Sequence, residues 1–472
     1  MTIAFGTDGW RGVIADDCTF SEIRRIAAAV ARFYVADPGP GDRHRIVVGY
    51  DPRFFSPEFA RASAEVFAEA GIDVLLADRP IPTPAVSFHV RRLGLKGGVS
   101  ITASHNPGHY NGFKVKAHFG GSAPPETYRS IAGEVDRRLP RADRAGRIET
   151  EDLITPYRNR LSELVDLAAI RASRLSVLSD AMHGAAGSLV AELLSGGTLR
   201  IVAFRTERDP LFGGVHPEPI AKNLAASSER VRAGSLDLAL AQDGDADRLG
   251  VLGHDGRFVS PHQILALLLL HVFRKRGLRG GIAKTFSTSF QVDRIAARLG
   301  VPLIETGIGF KYVAELMNRG EAVAGGEESG GYAFSFHLPE RDGVLSALLL
   351  VESLAKTGRN LEEALEELAS EFGRFDYGRR DVYLPTDAAE RYLRQSNASP
   401  PFSFAGERVT AVQDRDGVKY VFGDRGWLLQ RLSGTEPMAR LYCEHEAGEK
   451  MMAILDEAER RLREFVHSGR ML

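Results

Sequence analysis

Apolar residues along this chain come in short blocks, separated by longer stretches with a helical period. Residues 45–51 form an apolar run ending in Asp-Pro, which predicts a strand followed by a turn. Residues 56–70 carry helical periodicity after Ser56-Pro57, a pair that suits an N-cap and the first helical position. Residues 73–77 and 97–102 predict two more strands. Strands separated by helices indicate a mostly parallel α/β sheet. A polar, Arg-rich stretch at 140–150 divides this region from a second unit. There, a strand at 175–178 leads into a loop at 180–187 that feeds a helix, and strands at 236–241 and 249–252 flank the polar loop 242–248. A third unit, from about residue 260, carries helices at 263–276, 291–299 and 344–355 and a strand at 281–284.

The last part differs. Strand-like segments at 381–384, 408–413, 418–422, 427–431 and 440–444 precede a charged amphipathic helix at 448–466, which predicts a separate α+β domain. Gly373 to Gly378 is the candidate linker. The expected domains are 1–145, 150–255, 256–372 and 378–472, the first three alike in pattern. Length agrees, because 472 residues exceed what one core supports.

Composition narrows the function classes. Hydrophobic residues at 44% and charged residues at 26% describe a soluble globular protein, and a net charge of −2 gives no reason to expect nucleic acid. Cys18 and Cys443 have neither metal-ligand nor redox spacing, which fits a reducing cytoplasm. The N-terminus lacks the basic and apolar regions of a signal peptide, and the apolar run 264–270 is far short of a membrane span. Charge that matters must therefore be local.

Four motifs supply it. Thr102-Ala103-Ser104-His105-Asn106-Pro107 follows an apolar strand, and Asn106-Pro107-Gly108 forces a turn. A serine on a tight turn at a strand's end is exposed and positioned, as a phosphoryl-carrying serine requires; alone, the run also reads as a turn without chemistry. In Asp243-Gly244-Asp245-Ala246-Asp247-Arg248, three carboxylates at alternate positions can converge on one hard divalent cation. A solvated acidic loop is the alternative. The spacing also admits calcium, but the EF-hand's twelfth-position Glu is replaced by His254. Gly325-Gly326-Glu327-Glu328-Ser329-Gly330-Gly331 brackets two carboxylates and a hydroxyl with glycine, suiting hydrogen bonds to a polyol or simply a tight turn. In Arg431-Leu432-Ser433-Gly434-Thr435-Glu436-Pro437, the arginine can hold a phosphate at two points while hydroxyls and turn N–H groups complete an anion nest. A β-turn with a surface arginine would look the same. Near the N-terminus Arg11 lies between glycines, and Arg53 is expected to pair with Asp51 or a neighbouring loop.

One such motif per expected domain is what a central cleft between four domains would need. The combination and its order resemble the α-D-phosphohexomutase superfamily, the phosphoglucomutase and phosphomannomutase enzymes, over the whole chain. The resemblance implies three similar mixed α/β domains and a C-terminal α+β domain around a cleft. It implies an isomerase that interconverts hexose 1-phosphate and hexose 6-phosphate through a phosphoserine and a bisphosphorylated sugar, glucose 1,6-bisphosphate for glucose. Ser104 corresponds to the phosphoserine, and Asp243, Asp245 and Asp247 to Mg2+ ligands with a phosphoserine oxygen completing the shell. Glu327 and Ser329 correspond to sugar contacts, and Arg431, Ser433, Gly434 and Thr435 to the site of the non-transferring phosphate. Lys114 and Arg11 match positions near the transferring phosphate, with His105 beside the serine; Arg248 and Lys311 match further cations. Two positions depart from the pattern: Gly331 stands where many relatives carry His, and Arg341 where eukaryotic-type phosphoglucomutases carry Lys. That leaves Lys114 as the first candidate for general acid/base, helped by a depressed pKa if other cations surround it. Glu328 in the sugar loop leans towards glucose, with mannose or glucosamine as alternatives. The bisphosphate must be retained while it turns over, so the fourth domain is expected to act as a lid. A metal-dependent serine phosphatase and a non-catalytic sugar-phosphate binder are the other readings.

Overall fold

The computed structural model describes residues 3, 5–6, 8–37, 39–139, 142–433 and 438–468. In the first sheet Ile148–Glu151, Asp73–Ala77, Arg45–Tyr50 and Gly97–Ile101 run parallel; Tyr110–Ala117 and then Trp10–Val13 complete it antiparallel. The first sheet thus extends past the polar stretch, because Ile148–Glu151 returns to pair with Asp73–Ala77. The second sheet orders Phe258–Val259, Leu249–Gly253, Leu238–Gln242, Ser176–Asp180 and Arg200–Phe204, and the third Leu303–Thr306, Gly281–Thr285, Ala322–Gly326 and Tyr332–Phe334. The fourth is wholly antiparallel: Asp376–Tyr383, Met438–His445, Gly426–Leu432, Val418–Val421 and Ala411–Gln413. Helices Thr386–Ala398 and Gly448–Ser468 belong to this last unit. Four α/β units are present, as the motif distribution predicts.

Several elements differ from the sequence reading for local reasons. Ser56 does not cap its helix; Phe55 does, at φ +62, while the Ser56 hydroxyl donates to buried Asp51. The helix expected at 263–276 is Pro261–Leu270, started by a Ser260/Gln263 capping box and continued by a wider π-helical turn, His271–Lys275. The expected linker shortens because Asp376–Tyr383 pairs along its whole length with Met438–His445. The segment 408–413 divides because Glu407–Arg408 pairs with Ser403–Phe404 while Ala411–Gln413 pairs with Val418–Val421.

One continuous apolar core runs through the first three units, and a second core, including Val382, Tyr392, Tyr420, Leu441 and Leu462, belongs to the last. Between the third and fourth units lies a small cluster of Phe286, Trp427, Leu429 and Tyr442. Cys18 is buried in the first core and Cys443 in the second. Among the described residues, no helix is long and apolar enough to cross a membrane.

Candidate active site

The serine loop leaves the C-terminal end of Gly97–Ile101, where ligands gather in parallel sheets. Ser104 has φ +53, a left-handed conformation that costs a non-glycine residue about 1–3 kcal/mol and persists only where its surroundings over-determine it. Those surroundings are explicit. The Ser104 N–H donates to Thr102 Oγ1 at 2.8 Å, and the Thr102 hydroxyl donates to Asp51 at 2.6 Å. Arg53, fully buried and ion-paired with Asp51 at 2.9 Å, donates to the carbonyls of Ser104, Asn106, Pro107 and Tyr110. Arg53 thus does both things expected of it. Ser104 is not exposed as the turn suggested; its relative exposure is 1%, because the acidic loop covers it.

That loop joins the antiparallel strands Leu238–Gln242 and Leu249–Gly253. At Gly244 a Cβ would stand 2.4 Å from the Ser104 carbonyl oxygen, so the two loops meet backbone to backbone only because this residue has no side chain. Ala246 turns the loop at φ +60, and Thr83 binds Asp245 through both its N–H and its hydroxyl. The result aims three buried carboxylates inward. Ligand oxygens of Asp243, Asp245 and Asp247 lie within 4.8 Å of one another, and the Ser104 hydroxyl donates to Asp243 at 3.2 Å. Asp245 Oδ1 and Asp247 Oδ1 are buried without a hydrogen-bond partner among the described residues. Hard oxygens left unpaired at this separation fit a Mg2+-sized cation. Burial and the charges of Asp247 and Asp245 push Asp243 well above the usual carboxylate range. Burial acts the same way on Asp245, but Lys114, Thr83 and Arg341 together outweigh it and the net shift is down.

Cations close the ring. Lys114 Nζ lies 2.8 Å from Asp245, 3.1 Å from Asp8 and 3.2 Å from Asp247. This overturns the expected depression of its pKa: burial lowers it, but Asp245, Asp247 and Asp8 together raise it, so Lys114 is a fixed positive charge. Arg341, buried, reaches Asp8 and Asp247 at 2.7 Å each and Glu327 at 3.4 Å. A Cβ on Gly331 would stand 2.3 Å from Arg341 Cδ. The two departures noted in the sequence are therefore one packing arrangement, with the arginine stem lying across the glycine. Arg248 Nε lies 3.8 Å from Asp247 and 4.0 Å from Asp243, and Arg11 donates to the Asn106 side chain at 2.5 Å. His105 Nδ1 is 3.5 Å from Ser104 Oγ; burial, then Arg248, Arg11 and Lys114, hold its pKa well below the usual imidazole value. It is a neutral ring beside the serine.

In the third unit, Glu327 is 5% exposed; burial raises its pKa to about 7, against the pull of Arg341 and Arg248, and the charges of Glu328 and Asp247 add to the rise. Ser329 Oγ is 3.4 Å from the Glu327 carboxylate. Glu328 turns aside to accept from Ser287 at 2.6 Å. Arg341 stands 5.5 Å from the Phe310 ring, and Phe310 precedes Lys311. In the fourth unit Arg431 is mostly buried, 3.4 Å from Asp416, and the Ser433 N–H donates to the Met438 carbonyl at 2.9 Å. Gly434 and Thr435 lie outside the described residues. The serine, the acidic triad, Lys114, Arg11, Arg248 and Glu327 thus share one charged network, while Arg431 and Lys311 both lie in the field of Asp416 and Ser433 follows the end of the Arg431 strand.

Profiles described as phosphoglucomutase/phosphomannomutase alpha/beta/alpha domains I, II and III and C-terminal domain match residues 2–141, 155–256, 260–372 and 382–461. The chain belongs to this family, within the α-D-phosphohexomutase superfamily. It is 31% identical over 457 residues to a phosphoglucomutase/phosphomannomutase of Thermococcus kodakarensis, with 96% of each chain covered. It is also 31% identical over 465 residues to a phosphoglucosamine mutase of Thermobifida fusca, with 97% of each covered. A Thermus thermophilus protein, provisionally assigned as a phosphomannomutase, superposes with a TM-score of 0.86 at 37% identity, covering 98% of this chain and 99% of that one. A Burkholderia thailandensis member of the family gives 0.82 at 25% identity, with 99% of both covered.

For a phosphohexomutase-family chain, the sequence reading passed over several residues that the site contains. Asp8 anchors both Lys114 and Arg341, yet only Arg11 stood out in its glycine-rich segment. Lys116 pairs with Glu340 at 2.6 Å, both buried. Lys114 and Lys116 two apart in an otherwise apolar stretch were the available signal, since alternate residues share a strand face. Asp416 and Thr83 carry none: each acts on a residue distant in sequence.

Proposed function

We propose that this phosphohexomutase-family protein interconverts hexose 1-phosphate and hexose 6-phosphate by way of phosphorylated Ser104, with glucose as the preferred hexose and mannose as a second substrate. One observation carries the reading: the Ser104 hydroxyl lies 3.2 Å from a carboxylate of a buried aspartate triad in which Asp245 Oδ1 and Asp247 Oδ1 have no hydrogen-bond partner among the described residues. A Mg2+ held by Asp243, Asp245 and Asp247 would neutralise charge on a phosphoryl group at that serine. Lys114, Arg11, Arg248 and Arg341 hold fixed positive charge around it. In one direction the phosphoserine gives its phosphoryl group to the substrate's free hydroxyl, forming a hexose 1,6-bisphosphate and freeing Ser104 Oγ. The bisphosphate turns over in the cleft, and its other phosphate returns to Ser104. Glu327 and Ser329 serve the sugar hydroxyls from a glycine-flanked loop compatible with two sugar orientations, while Arg431, Ser433, Gly434, Thr435 and Lys311 serve the phosphate not in transfer. The buried Glu327 carboxyl, raised to about 7, can take or return the hydroxyl proton near neutrality.

A glucosamine preference is the second reading, favoured by the Thermobifida fusca relative's name. Assays on glucose 1-phosphate, mannose 1-phosphate and glucosamine 1-phosphate, each with a trace of its bisphosphate, rank the sugars. In the same assays Ser104→Ala should abolish turnover while folding normally, and chelation should remove activity that Mg2+ restores. Turnover by the alanine variant, or release of inorganic phosphate in place of isomer, refutes the mutase reading.

A further inference from the structure

Asp416 lies in the turn between Ala411–Gln413 and Val418–Val421, outside every motif that the sequence singles out. Its carboxylate nevertheless does two things at once. Oδ2 accepts the Ile308 N–H at 2.8 Å, a bond that crosses from the fourth unit to the third. Oδ1 stands 3.4 Å from Arg431 Nε, a buried N–H that has no hydrogen bond among the described residues. The turn is built for this approach. Gly417, at φ +96, lies so close to the next strand that a Cβ would stand 2.4 Å from the Gln430 carbonyl oxygen and 2.7 Å from Arg431 Cβ. Ile308 begins the Ile308-Gly309-Phe310-Lys311 run that enters helix Phe310–Asn318. Burial lowers the Lys311 pKa, and the fields of Asp8 and then Asp416 oppose it by favouring the charged form.

A carboxylate beside a phosphate-binding arginine repels the ligand, so on charge alone it should weaken the site. Its compensating effect is geometric. Meeting Arg431 through Nε fixes one edge of the planar guanidinium, and a fixed plane is what two-point recognition of a phosphate demands. The second oxygen ties that edge to the segment bearing Lys311.

We propose that Asp416 is a positioning residue, which orients Arg431 and couples it to the Ile308–Lys311 segment so that cations from two domains meet one phosphate monoester. The proposal rests on the assignment of Arg431 to the substrate's non-transferring phosphate. Asp416→Asn keeps an acceptor for Ile308 but removes the charge facing Arg431. It should weaken calorimetric binding of glucose 6-phosphate, mannose 6-phosphate and glucosamine 6-phosphate by a common factor of about ten, the order expected for losing one mostly buried ion pair. In the assay of the active sugar, KM should rise by a similar factor with kcat within twofold. Asp416→Glu, which restores the charge, should recover part of the loss. Asp416→Asn combined with Arg431→Ala should bind no worse than Arg431→Ala alone, since the carboxylate acts through the arginine. Weakened binding in Arg431→Ala but wild-type binding in Asp416→Asn overturns this proposal alone, as does multiplication of the two losses in the double variant. Wild-type binding in Arg431→Ala overturns the phosphate assignment itself.

Discussion

Arg53→Lys tests how the serine loop is held. Arginine has five N–H donors, and Arg53 uses all of them: Nε to Asp51, Nη1 to the carbonyls of Pro107 and Tyr110, Nη2 to those of Ser104 and Asn106. Lysine keeps the charge but offers three donors from one nitrogen, so at least two of these five acceptors lose their partner. A buried acceptor left unpaired costs about 1–3 kcal/mol, which places the loss at about 2–6 kcal/mol. Typical total stability is about 5–15 kcal/mol, so the variant should fold but unfold early. The strained Ser104 backbone depends on the same bonds, so kcat should fall with stability even though Arg53 touches no reacting atom. Urea unfolding followed by circular dichroism gives the stability change, with the first transition read separately because the chain has several domains. A change under about 0.5 kcal/mol, the range of an ordinary surface substitution, would refute the claim that this one guanidinium organises the loop.

Two further predictions address the interior charges. Glu327 in the folded protein titrates near 7 against an ordinary 4.5, so the native state binds its proton more tightly. Its contribution to stability is present below about pH 4.5 and is lost as pH rises through about 7; Glu327→Gln should flatten that part of the stability–pH profile, and an unchanged slope would count against the raised value. Gly331→Ala places a methyl group 2.3 Å from Arg341 Cδ, which must push the guanidinium away from Asp8 and Asp247. Overpacking of this kind costs about 1–3 kcal/mol, and we predict at least a tenfold fall in kcat; an alanine variant with wild-type turnover would remove Arg341 from the site.

Fold class, the order of the units and the candidate site loops were all legible in the sequence. Those features are local: a strand shows as an apolar run, a turn as Asn-Pro-Gly, and the acidic loop as carboxylates at alternate positions between two strands. Even Arg53 was legible as a structural partner of Asp51, two residues away. Which charges face which emerged from tertiary packing alone. Lys114 looked like a desolvated cation among cations, but Asp8, Asp245 and Asp247 come from segments up to 133 residues away and reverse its shift. Gly331 and Arg341 were two unrelated departures in the sequence and are one packed pair in space. Ser104 reads as exposed on its own turn and is buried because a loop about 140 residues further on lies over it. A residue's pKa and accessibility depend on the field and volume of its neighbours in space, and those neighbours are assembled by strand pairing and domain packing that no local pattern records.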